Sequence, residues 1–560
     1  MHIKLVGLNA RYTHSCLALF YVRNELEKHC PDAEIEILQG TINDGCYETL
    51  LRLTAGQPTA ICFSAAIWNS DLVERLIVDL KKVLPDCLLI VGGPQAGVIG
   101  DRLPLGLCTV VLGEIEAISA DFYRDLHQGR LQDRYHGAFF KMPERHLEFA
   151  FRDRDFDRHL SNRHIYYESS RGCPFSCTYC LSAAERGVYH KELPQVFAEL
   201  DRILAHRPQV LRFVDRTFND NPARTLAIWQ YLANRGSGTL FHFEIAPDRF
   251  TEEMFAFLAE VPPGLFQFEI GIQSTHAETL AAIRRRIDPG VAHATIARLA
   301  APANIHLHVD LILGLPYETR DSFLRSFSEV FATGAQYVQM GLLKILPDTS
   351  IRETAGDHGY LYCAEPPYSV LANRWLDHAN LSELYWYCEC VEKFHNNRYF
   401  VSVWRYLRRR EEDSAAFFQG LLAVCRRNNF FGLAATQEFL CRLLCQYISE
   451  RSDKSLLVEL LRHDWLRCGH RFLPECLEVE EDVEPPAETK DRLYRALPEE
   501  LEGVFRRGEK NHFFKKAFCL QFSQAALREL GFQGPSATGP VCFLGAREGG
   551  LFRFNRVLSL

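Results

Sequence analysis

The chain has 560 residues, 47% of them hydrophobic, so it can bury several cores, and a prior of one domain per ~150 residues gives three or four. A formal charge of -8 with 24% charged residues marks it as neither a nucleic-acid binder nor an anionic-membrane binder as a whole. No run reaches the ~18 apolar residues of a membrane helix, and "MHIKLVGLNARYTHS" lacks the apolar core of a signal peptide, so a cytoplasmic protein with no membrane partner is expected.

Residues 1 to about 135 alternate short β-branched runs ("IKLVGLNA", "AEIEILQG", "TAICFSAA", "CLLIVGGP", "CTVVLGE") with helical stretches such as "DLVERLIVDLKKVL". That alternation predicts an α/β unit, a doubly wound, Rossmann-like parallel sheet of five strands with helices on both faces. Ligands of such sheets sit beyond the strand carboxyl ends, which here carry Asn9, Ser64, Gly92, Gly93, Pro94, Gly113 and Glu114. The polar segment "RDRDFDRHLSNRH" reads as a linker. Six further strand-helix units fill residues 160–370: "HIYYESS", "VLRFVDRTF", "TLFHFEIAP", "LFQFEIGIQS", "IHLHVDLILGLP" and "AQYVQMGLLKIL". They predict a partial or complete α/β barrel with its site at the carboxyl-end rim. From 371 to 560 the pattern turns mainly helical, broken by "EVEEDVEPPAETKD" and closed by a hairpin expected around Gly549-Gly550. No chemical motif stands out in that third region.

The nineteen cysteines are mostly scattered, as small buried hydrophobes are, and "YWYCEC" with Cys388 and Cys390 reads as core. The departure is "SSRGCPFSCTYCLS", where Cys173, Cys177 and Cys180 fall within eight residues on the loop leaving the first barrel strand. Thiolates select zinc or iron-sulfur clusters. A closed zinc site needs a fourth ligand, for which His190 is the nearby choice, while three thiolates on a cube leave one iron open to an external ligand.

"CPFSCTYC" resembles the C-x-x-x-C-x-aromatic-C loop of the radical S-adenosylmethionine superfamily. The resemblance implies a 4Fe-4S cluster whose open iron is chelated by S-adenosylmethionine, reductive cleavage to a 5'-deoxyadenosyl radical, and a low-potential electron donor such as flavodoxin or ferredoxin. It also implies roles toward S-adenosylmethionine for Tyr179; for Asp215, Arg216 and Asn219 of "FVDRTFN", which stand where the family has Gly-Gly-Glu; for Glu269, Gln273 and Ser274 of "FEIGIQS"; and for Asp310 and Gly314, with Pro316 and Glu318, of "DLILGLPYET". The "VGGP" and "VLGE" loops ahead of such a barrel resemble the cobalamin-binding domain of cobalamin-dependent members of the superfamily. "LNARYTHSCLA", "PPYSVLANRWL" and "VWRYLRRR" look like one subfamily of those proteins. No G-x-G-x-x-G follows the first strand, and no D-x-H-x-x-G motif supplies a histidine to cobalt; His14 stands at the wrong spacing and is expected to pack.

The function this implies is methylation of an unactivated carbon. Radical rearrangement, cyclisation or oxidation with the same cofactors, RNA methylthiolation, and a non-catalytic corrinoid or redox sensor are the alternatives. Methylthiolation would call for a basic RNA module that the mixed charge of the third region does not supply. The basic runs "RYLRRREE" and "AIRRRID" read as solvated helix faces balanced by Glu411, Glu412, Asp413 and Asp288.

Overall fold

The computed structural model describes residues 1–141, 146–184, 187–235, 238–478, 487–495, 510–532, 538–547 and 555–559. The amino-terminal sheet contains β1 (His2–Asn9), β2 (Glu34–Thr41), β3 (Ala60–Ser64), β4 (Leu88–Gly92), β5 (Thr109–Leu112) and β6 (Arg134–His136). Its order is β2-β1-β3-β4-β5-β6, every pair parallel, so there are six strands where the sequence reading gave five. The sixth is three residues long with one buried side chain, too short for an alternation signal. Helices pack on both faces: Ser70–Val83 buries Leu72, Val73, Leu76, Ile77 and Leu80, the apolar stripe that its 3-4 spacing provides.

The presumed linker is ordered and anchored. It forms the helix Asp153–Arg158, whose Asp155 is 1% exposed and accepts a 2.7 Å hydrogen bond from Arg23 of the first helix, while Phe156 and Leu160 are buried. One charge of the segment read as a linker is thus half of a buried ion pair with the first helix.

The second sheet is built from β7 (Ile165–Tyr167), β10 (Val210–Phe213), β11 (Leu240–Ile245), β12 (Phe266–Gln273), β13 (His306–Leu313) and β14 (Tyr337–Leu342), parallel and in sequential order. This is an open six-stranded α/β barrel. Between β7 and β10 lies the small antiparallel pair β8 (Ser170–Cys173) and β9 (Gly187–His190), which carries the cysteine loop. Strands β12 and β13 alternate strictly in burial rather than running apolar throughout. Phe266, Phe268, Ile270 and Ile272 pack under the helices, and Gln267, Glu269, Gly271 and Gln273 take the other face, toward the lumen.

Beyond the barrel, β15 (Leu361–Tyr362) and β16 (Val370–Ala372) form a short antiparallel pair, followed by helices from His378 to Arg467. The helical run ends in an antiparallel sheet of β17 (Ala517–Ser523), β18 (Thr538–Arg547) and β19 (Asn555–Ser559). The turn expected at Gly549-Gly550 and most of "EVEEDVEPP" lie outside the described residues. Among the described residues no helix is long and apolar enough to cross a membrane.

Candidate active site

The three cysteines leave β8 on a loop held from both ends. Gly172 has φ +89, and a Cβ there would collide with the Gly187 carbonyl across the β8-β9 pair, so the turn into Cys173 requires glycine. Further along, Thr178 N–H donates to the Ile283 carbonyl (3.0 Å), and the Thr178 carbonyl accepts from Ile351 N–H (2.9 Å). The loop closes over a cavity of about 180 Å³ lined by Cys173, Cys177, Cys180, Tyr179 and, from the strand ends, Arg216, Glu269, Gln273 and Asp310. Gln273 reaches it through a bulge in β12: the register to β13 slips between Gly271 and Gln273, and Gln273 takes φ +75.

Four expected residues are employed elsewhere. Asp215, 1% exposed, accepts from Ser169 N–H (3.0 Å), Ser169 Oγ (2.6 Å) and Ser170 Oγ (2.5 Å), fixing the entry to β8. Asn219 bridges the Ala246 backbone through both amide atoms at 2.7 Å. Ser274 is fully buried and donates to Glu318 at 2.5 Å, because the residue after Gln273 points to the opposite face. Gly314 (φ +95) offers its carbonyl to Tyr360 Oη and Asn373 Nδ2, each at 3.0 Å.

Conversely, Glu244, Arg285, Thr217 and Phe175 line the cavity without having been singled out from sequence. Arg285 belongs to "AIRRRID", read as a solvated face. Its guanidinium instead lies 3.9 Å from Cys177 Sγ, 2.5 Å from the Gly271 carbonyl and over the Phe175 ring. Arg408 of "RYLRRR" is likewise half-buried, its guanidinium over Phe331. Glu244 was legible as the last polar position of β11, in register with Glu269. Cys388 and Cys390 are core residues, as the spacing suggested.

Electrostatically the lumen sorts its acids. Burial pushes the Glu244 carboxyl up to about 7 against the pull of Arg216. Asp310 is also raised well above the usual carboxylate range, by burial and then by the charges of Glu269 and Glu244. Burial also opposes ionisation of Glu269, but the His242 hydrogen bond (3.0 Å) and the nearby His308 and Arg212 outweigh it and hold its pKa at about 2. The lumen thus offers an anion at Glu269 beside two carboxyls whose ionisation burial disfavours.

The donor set suits a cluster better than a single ion. Three thiols converge on one cavity, yet among the described residues they do not form a group with all sulfurs within 4.8 Å of one another. His190, the alternative fourth ligand for zinc, faces Asp220 at 3.2 Å and is not among the cavity's lining residues.

A second cavity, about 330 Å³, opens beyond the carboxyl ends of β3, β4 and β5. Ser64, Gly92, Gly93, Gly113 and Glu114 line it, together with Glu168 and Arg171 of the barrel; Asn9 and Pro94 do not. At Gly93 (φ +96) a Cβ would stand 2.6 Å from the Ala65 carbonyl, whereas at Gly92 it would meet nothing nearer than 3.8 Å, which leaves the Gly92 backbone open to approach. Arg171 closes the far side, bonded to Glu168 (2.8 Å), Glu116 (2.8 Å) and Glu114 (3.0 Å). It ties the first domain to the strand that delivers Cys173. No histidine lines this cavity among the described residues; His14 packs away from it, with Nδ1 2.5 Å from Tyr166 Oη.

Residues 167–330 match the radical SAM superfamily. The barrel is a radical SAM domain. Residues 356–528 match a second family, described as a protein of unknown function (DUF4080), which spans the segment from the end of the barrel domain through the carboxy-terminal helices. Among curated proteins, the chain is 24% identical over 438 residues to 2-(S-pantetheinyl)-carbapenam-3-carboxylate methyltransferase of Streptantibioticus cattleyicolor, covering 68% of this chain and 63% of that relative's length. Among solved structures, the radical S-adenosylmethionine methyltransferase TsrM from Kitasatospora setae, with cobalamin and a [4Fe-4S] cluster bound, superposes with a TM-score of 0.51 at 16% identity, over 65% of this chain and 78% of that one. The cobalamin-dependent radical enzyme OxsB, with aqua-cobalamin bound, gives 0.58 at 14% identity over 83% and 80%. At these identities the two structures establish a shared fold.

Proposed function

We propose that this protein is a cobalamin-dependent radical SAM enzyme that methylates an unactivated carbon. The observation that carries the reading is the convergence of Cys173, Cys177 and Cys180 on one cavity at the barrel rim, with a second, glycine-edged cavity lined by Arg171 of the same strand as Cys173. In this reading the three thiolates hold the cluster, Arg216, Glu269, Gln273 and Asp310 contact S-adenosylmethionine, and Ser64, Gly92, Gly93, Gly113 and Glu114 receive cobalamin. When bound, the cluster supplies the electron that cleaves the sulfonium of S-adenosylmethionine, and cobalamin supplies the methyl carrier.

The chain's own residues supply position and polarity. Arg285 donates toward Cys177 and keeps positive charge beside an anionic thiolate set. Glu269, held ionised, is suited to the cationic end of a zwitterionic ligand, and Glu244 and Asp310, whose ionisation burial disfavours, can donate hydrogen bonds to its oxygens when protonated. The absence of a histidine from the described lining of the second cavity supports a cobalt without a protein imidazole.

The test is anaerobic reconstitution with iron, sulfide and cobalamin, followed by S-adenosylmethionine and a reductant. Formation of 5'-deoxyadenosine, abolished by Cys177→Ala, is expected; its absence from the reconstituted wild type overturns the enzymatic reading in favour of a sensor. Methyl-labelled S-adenosylmethionine separates the outcomes further: label in a product supports methylation, and an unlabelled, rearranged or oxidised product supports the non-methylating alternative.

A further inference from the structure

Two cysteines one helical turn apart and a third from a later segment, all remote from the barrel motif, meet in the carboxy-terminal helical region. Cys441 and Cys445 stand four residues apart on the helix Gln437–Ile448, hence on one face. Cys476 lies in the short turn Glu475–Leu477 that packs against that helix. Their three sulfurs lie within 4.8 Å of one another, with Cys441 buried and the other two half-buried.

The scaffold around them is rigid. Leu440, Leu443, Leu444 and Leu477 are buried, and the Leu477 carbonyl accepts a 2.8 Å hydrogen bond from Arg462 Nε on the helix Lys454–Arg467. The thiols are therefore brought together by packed elements on either side.

We propose that Cys441, Cys445 and Cys476 form a zinc site, separate from the barrel, that clamps the segment after the helix Lys454–Arg467 onto the helix Gln437–Ile448. A tetrahedral zinc with Zn–S near 2.3 Å needs its sulfurs about 3.8 Å apart, a spacing this triangle reaches with small side-chain adjustments. A four-iron cube carries its thiolates on separate corners and needs a wider set, such as the barrel cysteines, which lack this tight grouping. Soft thiolates select zinc over magnesium or calcium. Binding forms three Zn–S bonds and releases to solvent whichever protons the three sulfurs still carry, with no electron transferred. Arg442 and Lys454 act electrostatically on Cys476 and Cys445 and offset the surplus negative charge, and the half-exposed side leaves the fourth position to water. A disulfide would use two of the sulfurs and leave the third without a role.

The experiment uses the full chain, purified anaerobically under reducing conditions from zinc-supplemented medium. Elemental analysis is expected to give about one zinc per chain, as for a single tetrahedral site. Cobalt(II) added to zinc-stripped wild type is expected to give a thiolate-to-cobalt charge-transfer band. Cys445→Ser and Cys476→Ser should each abolish both signals while retaining cluster iron, and Cys177→Ala should retain the zinc, so that failure here and failure of the barrel reading are distinguishable. The proposal is overturned by wild-type protein that binds neither zinc nor cobalt, by iron-sulfur absorbance that disappears with Cys445 or Cys476, or by a disulfide among these cysteines in freshly isolated protein.

Discussion

Arg171 provides the sharpest test of how the two cavities are joined. Its side chain is 9% exposed and its three guanidinium nitrogens each meet a different carboxylate, Glu114 and Glu116 from the first domain and Glu168 from the barrel, themselves 18%, 6% and 13% exposed. The guanidinium also lies over the rings of Tyr21 and Phe140. Arg171→Met keeps much of the apolar stem and removes the cation that pairs with all three acids. Breaking a buried pair costs about 3–5 kcal/mol because the partner charge stays uncompensated, against under about 1 kcal/mol for an exposed pair. With the shared guanidinium removed from three largely buried carboxylates, a loss of at least ~3 kcal/mol is expected. Urea unfolding of the cluster-free chain followed by circular dichroism measures it. The double variant Arg171→Met/Glu116→Gln should recover part of the deficit, giving a coupling energy of about 0.5–3 kcal/mol. A single-variant loss below ~1 kcal/mol, or strict additivity of the two changes, would show that the network is solvated and that the domains are joined by other contacts.

Other expectations follow from neighbouring parts of the site. Burial raises the Glu318 carboxyl to about 8 against the Ser274 hydrogen bond, above the ~4.3 of an unfolded glutamate; its contribution is therefore full below about pH 4 and is lost as pH rises through 8. Glu318→Gln should flatten the fall in stability between pH 5 and 8, read from melting temperature against pH; an unchanged slope would refute the assignment. Asp215→Ala removes three acceptor contacts in a buried site and should cost on the order of 3 kcal/mol and lower iron retention, because Ser169 and Ser170 lead into the cysteine loop. Gly93→Ala puts a Cβ against the Ala65 carbonyl at a positive φ, so a loss of about 1–3 kcal/mol is expected, whereas Gly92→Ala should be tolerated in the apo chain and weaken cobalamin binding measured by absorbance titration. Arg285→Leu should leave the melting temperature of the cluster-free chain within a few degrees, yet cut 5'-deoxyadenosine formation at least tenfold, about 1.4 kcal/mol of barrier.

Local pattern alone carried much of the architecture. Each barrel strand is a short stretch rich in apolar residues between turn residues, and the three cysteines fall within eight residues, so their meeting needs only a loop. Glu269, Gln273 and Ser274 were expected together from the resemblance of "FEIGIQS" to the family's fourth-strand motif; the structure brings Glu269 and, through the bulge, Gln273 to the cavity and turns Ser274 away to Glu318. Asp215 and Asn219 look identical in sequence whether they face a ligand or a backbone amide, and only the path of the neighbouring chain assigned them to Ser169 and Ala246.

Sequence by itself therefore determined what is encoded within a few residues: the strand-helix alternation, the three-cysteine loop and the glycine-edged strand ends. Contacts between distant segments were decided by tertiary structure: Arg23 on Asp155, Arg285 beside Cys177, Arg171 among three glutamates, and Cys476 against Cys441 and Cys445. The physical reason is that helix and strand periods describe which face a residue occupies, whereas the partner across that face depends on how the chain closes loops of tens to hundreds of residues.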